Sequence, residues 1–229
     1  MTLIQIKVKE SLLADQIPLE IEKIWLVQCK TVYEPAEDTF LMLDTIKHLS
    51  DIGYLDFSGK NVLELGTGVG LIGLWIAINA PTRPKYVVTT DIYSQAIRCA
   101  NNNAVLNSAT NVNMLCGDLF SVFRRKTKFD FIIFNPPYVP STTDMHKKLL
   151  DWEERAWDGG VDGRKLIDQF LHSFPDYIKD TSIVLILHSS LNQIEKTIKI
   201  TKSLGFKSKV KGQVKLPWEK LLVLEISRN

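Results

Sequence analysis

The chain has 229 residues, 45% of them hydrophobic, which is enough for one sizeable core and one large domain. Its formal net charge is only +2, with charged residues at 24%, which argues against a partner such as duplex DNA gripped through many phosphates. The basic stretch FRRKTK, Phe123 to Lys128, reads as a solvated loop. Cys29, Cys99 and Cys116 form no CxxC pair, which fits reduced intracellular thiols rather than a disulfide framework or a zinc site. With no histidine motif nearby, Cys116 reads as a packed thiol rather than a nucleophile. The N-terminus lacks an apolar signal core and no apolar run is long enough to span a bilayer, so a soluble, cytoplasmic protein without a membrane partner is expected.

In chain order, residues 1–30 read as an N-terminal extension, in which TLIQIKV and KIWLVQC have strand composition. Residues 31–229 read as a single domain. A helix is predicted over AEDTFLMLDTIKHLS, with Leu41, Leu43, Ile46 and Leu49 on its inner face. Glu37 and Asp38 at its start read as complements of the helix dipole. Apolar strand-like runs then alternate with helical stretches: NVLEL before LIGLWIAIN, YVVTTD before SQAIRCANNNAVLN, then VNMLCGD and FDFIIFN. GRKLIDQFLHSFPDYI reads as a helix, SIVLILHS as a strand and LNQIEKTIKITKSLG as a helix, and FKSKVKG with KLLVLEIS closes the domain as a hairpin. Continuous apolar strands interleaved with helices predict a mostly parallel sheet covered on both faces. Ligands in such doubly wound α/β sheets sit outside the carboxyl ends of the strands.

Those ends carry the informative residues. NVLEL runs into GTGVG, giving Glu64, Gly66, Gly68 and Gly70. Glycines there let the chain turn tightly and let a ligand approach the main chain. Gly68, Gly70 and Gly73 also satisfy the GxGxxG spacing of a dinucleotide fold, so the glycines alone do not choose the ligand. Asp91 ends the next strand, where it suits the ribose hydroxyls of any adenosine, NAD included, or caps the following helix. Asp118, in CGDLF, suits an exocyclic adenine amine with Leu119 over the ring, and Gly-Asp is equally a turn signal.

The fourth strand ends in Asn135-Pro136-Pro137-Tyr138. Prolines lack an N–H and fix φ, so this loop is stiff and presents carbonyls as pure acceptors. The side-chain oxygen of Asn135 with the carbonyl of Pro136 makes two acceptors for one NH2 group. Such a grip leaves the nitrogen lone pair free, while Tyr138 offers a flat face to a planar amide or base.

ELGTGVG, Asp91, Asp118 and NPPY together resemble the Rossmann-like amino-methyltransferases that use S-adenosylmethionine; a hydride-transfer enzyme has no reason to carry NPPY. VYEPAEDTFLMLD (Val32 to Asp44) and AWDGGVDGRKLIDQF (Ala156 to Phe170) further resemble the HemK-type methyltransferases, in the archaeal and eukaryotic branch that modifies a glutamine of the class 1 translation termination factor. The likeness runs from about residue 32 to the C-terminus. It implies the Rossmann-like class I methyltransferase fold: a seven-stranded, mostly parallel sheet with helices on both faces and a C-terminal antiparallel hairpin. It puts Thr39 at the carboxylate end of the methyl donor, and Glu64, Gly66 and Gly68 beneath its amino-acid moiety. Asp91 goes to the ribose, and Asp118 and Leu119 to the adenine. Asn135, Pro136, Pro137 and Tyr138 grip the acceptor, with Tyr33 and Pro35 placed to close over the donor. Trp157 either walls the acceptor pocket or packs in the core. The resemblance also implies a small zinc-binding activator subunit, paired to the outer edge of the third strand, VNMLCG; the zinc belongs to that partner, since this chain has no ligand cluster. An exocyclic base amine of RNA or DNA, or a protein lysine, is the alternative acceptor. The near-neutral charge and the two HemK-like segments favour the protein amide.

Overall fold

The computed structural model describes residues 7–8, 18–140 and 158–228. Five strands of the sheet run parallel: β4 (Asn61–Leu65), β5 (Tyr86–Asp91), β6 (Val112–Cys116), β7 (Phe129–Phe134) and β8 (Ile178–Ser189). Two more, β9 (Phe206–Lys215) and β10 (Lys220–Arg228), add the expected antiparallel hairpin. The seven strands lie in the order β6-β5-β4-β7-β8-β10-β9. All six residues of β7 are buried, which is why its sequence is a continuous apolar run rather than an alternation. Along β4, Val62 joins one apolar layer and Leu63 and Leu65 join the other, so both faces are covered.

The first layer takes α1 (Glu37–Asp51), α2 (Leu71–Asn79) and α3 (Ser94–Leu106); the second takes α4 (Lys165–Ser173) and the apolar side of α5 (Ile194–Ser203). In α1 the inner stripe is Met42, Leu43, Ile46 and Leu49, with Leu41 only half-buried; the 3.6-residue repeat turns Met42 inward in its place. The helix predicted from Gly163 to Ile178 is shorter than expected. It stops at Ser173 and tightens into a 3-10 turn over Phe174–Tyr177, because Pro175 cannot donate to the preceding turn.

Within the N-terminal extension, β1 (Lys7–Val8), β2 (Leu19–Ile21) and β3 (Ile24–Leu26) make a small antiparallel sheet. From β3 the chain continues as a strap stitched to α3. The backbone N–H groups of Trp25 and Val27 donate to the side-chain oxygens of Asn107 and Asn103, each at 2.8 Å. Asn103 also donates to the Val69 carbonyl at 2.9 Å, so one buried amide ties strap, helix and glycine turn together. Cys29 and Cys99 form a disulfide with Cα atoms 6.0 Å apart, which corrects the expectation of reduced thiols. The 70-residue separation hid the pairing, because only folding of the strap onto α3 brings the two together. Cys116 is exposed at the end of edge strand β6 rather than packed. Among the described residues, no helix is long and apolar enough to cross a membrane.

Candidate active site

A cavity of about 370 Å³ opens at the carboxyl ends of β4, β5, β6 and β7, within the range of small-molecule sites. Its floor is the turn after β4. Gly66 and Gly68, both at positive φ, line it with Glu64 above the end of the strand. Asp91 lines it from β5, and Asp118 and Leu119 from the turn after β6. Thr39 enters from the first turn of α1, and Asn135, Pro136, Pro137 and Tyr138 form the facing wall. Tyr33 and Pro35 also line the cavity. Trp157 lies outside the described residues.

The floor is held by main-chain donors. Asp91 accepts from the Gly68 N–H at 3.0 Å and from the Tyr93 N–H at 2.9 Å, fastening the glycine turn to the end of β5. Burial raises its carboxyl, while these two N–H groups pull it down. Glu64 is 3% exposed and accepts from the Thr67 hydroxyl at 2.7 Å. Burial pushes it up to about 8, although Thr67 and the Gly73 N–H favour its charged form. A Cβ on Gly73 would lie 2.6 Å from both the Glu64 carboxylate and the Thr89 methyl, so the third glycine of the GxGxxG spacing serves close helix-to-strand packing.

The wall is built from side chains distant in sequence. Asp38, 4% exposed, accepts from the Tyr33 hydroxyl at 2.8 Å and from the Thr39 N–H at 2.6 Å. Its second oxygen accepts from the amide nitrogen of Asn135 at 3.0 Å. The dipole reading of Asp38 therefore captures only its position in the helix; its carboxylate is turned inward and engaged. With the Asn135 nitrogen committed to Asp38, the amide oxygen Oδ1 is left buried and, among the described residues, without a partner. A buried acceptor lacking a donor costs free energy and marks a place where a ligand supplies one.

Behind the wall, the Tyr138 carbonyl accepts from the Asn192 side chain at 2.7 Å. Val139 bridges to Asp158, and the Gly159 N–H donates to the Val139 carbonyl at 2.9 Å. Gly163 stands against Asn192 and Tyr138 so closely that a Cβ there would fall 2.3 Å from each. Gly163, the last glycine of DGGVDG, therefore makes room for the NPPY loop. Asn192 was invisible in the sequence; those clustered glycines were the one sign that something packs tightly there. Burial and the carboxylates around them raise the phenols of both Tyr33 and Tyr138, so both stay protonated near neutrality.

The methyltransferase small domain model matches residues 39–151. The chain is 39% identical to a Methanocaldococcus jannaschii protein whose name proposes protein N5-glutamine methyltransferase activity, over 92% of this chain and 98% of that protein. It is 30% identical to the human methyltransferase HEMK2, over 86% of this chain and 90% of the relative. The solved E. cuniculi Mtq2–Trm112 complex, described as responsible for methylation of the eRF1 translation termination factor, superposes with a TM-score of 0.65. It is 24% identical and covers 87% of this chain and 99% of its own, which supports the fold. The sheet is shared with the E. cuniculi structure, and the identity to the two sequence relatives over most of both chains shows that the chain belongs to the HemK-type protein-glutamine N5-methyltransferases.

Proposed function

We propose that the protein transfers a methyl group from S-adenosylmethionine to the side-chain amide nitrogen of the glutamine in the Gly-Gly-Gln motif of class 1 translation termination factor. The observation that carries this reading is the unpartnered Asn135 Oδ1, whose orientation is set by the bond from the Asn135 nitrogen to Asp38. Were the amide turned over, its NH2 would repel an NH2 acceptor and Asp38 would face an oxygen. Asp38 thus selects the orientation that accepts hydrogen bonds.

The cavity fits the donor: it has a glycine floor, carboxylates at two strand ends and an apolar cover in Leu119. Thr39 would hold the carboxylate end, Glu64, Gly66 and Gly68 the amino-acid moiety, Asp91 the ribose, and Asp118 with Leu119 the adenine. When bound, S-adenosylmethionine supplies a methyl carbon activated by a sulfonium. The chain's own contribution is to grip the acceptor NH2 between Asn135 Oδ1 and the Pro136 carbonyl, with Tyr138 against the amide plane. Polarising both N–H bonds raises electron density on a nitrogen that is otherwise a poor nucleophile, and holding it in line supplies much of the catalysis. Among the described residues that line the cavity wall there is no free base; Glu219, whose charge reaches Tyr138, does not line the cavity. Both oxygens of Asp38 already accept hydrogen bonds, and the two phenols are raised. The proton therefore leaves to solvent. The carboxylates that act on Tyr138, namely Asp38, Glu219 and Glu37, suit a nitrogen gaining positive charge and disfavour nucleic-acid phosphates beside the clamp.

We further assign the outer edge of β6 to a small zinc-binding activator subunit. Leu115 is 37% exposed there and, among the described strands, β6 has a neighbour only in β5, so its free backbone groups favour strand addition. The test is transfer of labelled methyl from donor to termination factor carrying Gly-Gly-Gln or Gly-Gly-Ala, with RNA and DNA alongside, with and without the subunit. Asn135→Ala should lower kcat by about 10²–10³ while donor affinity holds. Label in the Gly-Gly-Ala factor would reject glutamine as the acceptor.

A further inference from the structure

The β9–β10 hairpin ends beside the clamp. Lys215 pairs with Lys220 across it, and Leu221 pairs with Ser189 at the carboxyl end of β8, so the connection projects from the same carboxyl end of the sheet as the cavity. It is a closed turn, with the Leu216 N–H donating to the Glu219 carbonyl at 2.8 Å. The Lys220 N–H donates to the Ser190 hydroxyl at 3.0 Å. Ser190 begins the 3-10 turn Ser190–Asn192, and Asn192 holds the Tyr138 carbonyl. Hairpin tip and acceptor clamp are thus fastened to opposite ends of one three-residue turn.

Two features of the tip lack a partner among the described residues. Trp218 is 92% exposed, the largest exposure among the large apolar side chains described. An indole left in water forgoes its burial energy, and such residues serve as anchors in interfaces. Beside it, Glu219 Oε2 is buried with no hydrogen-bond partner, although its charge reaches Tyr138. A carboxylate oxygen left without a donor in the free tip is satisfied when a docked chain displaces its cover and brings an N–H.

We propose that the tip, residues 217–220, docks the polypeptide that carries the acceptor amide, with Trp218 as apolar anchor and Glu219 as acceptor for one of its N–H groups. This rests on the methyl-transfer reading above and adds the surface that recognises the substrate. A polypeptide suits both unpartnered groups, since it offers apolar contact and N–H donors together. A nucleic acid would bring its phosphates against Glu219, which repels them.

The experiment measures equilibrium binding of termination factor to the full chain held with the demethylated donor product, so that no turnover occurs. Trp218→Ala should weaken factor binding about tenfold or more, as loss of a tryptophan anchor does, with Trp218→Phe retaining most of it. Glu219→Gln should weaken it severalfold, and affinity for the donor product should stay unchanged in all three. Unaltered factor binding in Trp218→Ala, with the wild type methylating the factor normally, overturns this proposal and leaves the methyl-transfer reading standing. Loss of RNA binding in place of factor binding overturns it too. Factor bound through Trp218 but never methylated removes the methyl-transfer reading instead. No binding and no methylation would remove both.

Discussion

The floor and the wall of the cavity are built by opposite means. The floor is local: Glu64, Gly66, Gly68 and Thr67 lie within five residues, and Asp91 fastens them through the Gly68 N–H. The wall is assembled at a distance: the bond that orients Asn135 comes from a residue 97 positions earlier, and the one that holds Tyr138 comes from 54 positions later. A floor made of backbone tolerates side-chain change as long as its turns survive. A wall made of long-range side-chain bonds loses its function when one partner is lost, even if the fold stands.

The sharpest way to break that contrast is Asp38→Ala. It frees the Asn135 amide to turn over and removes the partner of the Tyr33 hydroxyl, and kcat should fall about tenfold to a hundredfold. Affinity for the donor product, measured by calorimetry, should fall less than kcat, since Asp38 also holds the Thr39 N–H and the Tyr33 hydroxyl beside the donor. Equal losses in both would show floor and wall to be one unit. Next in size is Cys99→Ser, which removes the covalent link between the strap and α3 and leaves the Asn103 and Asn107 hydrogen bonds in place. The lost cross-link should cost about 2–4 kcal/mol of stability, read from chemical unfolding against wild type, with reductant having no effect on the variant. The wall should feel this more than the floor, because Tyr33 and Pro35 continue directly from the strap.

Smallest is a property of the floor, seen in its pH dependence. The Glu64 carboxyl sits at about 8 in the folded chain, above the ordinary 4.5. The folded state therefore keeps a proton that the unfolded state gives up between these values, and stability falls as pH rises through that window. In Glu64→Gln the melting temperature should fall less between pH 5 and pH 8, by a few degrees, in a thermal series on both proteins. Parallel curves would mean that Glu64 is already ionised in the fold.

The same contrast explains what the sequence disclosed. β4, β5, β6 and β7 lie where their apolar runs predict, because burial on both faces writes itself into consecutive residues. The predicted floor residues and the NPPY loop converge on one cavity for the same reason: each ends a strand of a parallel sheet. The inward turn of Asp38, the Asn192 bond and the Cys29–Cys99 link left no local trace, since each depends on which segment folds against which. Cys116 is exposed because β6 ends the sheet; the packed reading follows from the usual burial of cysteine, which an edge position overrides.

The two borders of the sheet differ in a way that bears on stoichiometry. β6 ends the sheet with Met114 half-buried and Leu115 exposed, whereas β9 ends it with exposed Lys207, Lys209 and Lys215. Lysines repel a like-charged newcomer and blunt edge-to-edge growth. A chain that zips onto the β6 side, as proposed above, would therefore find the far edge guarded by charge, which disfavours a second guest there.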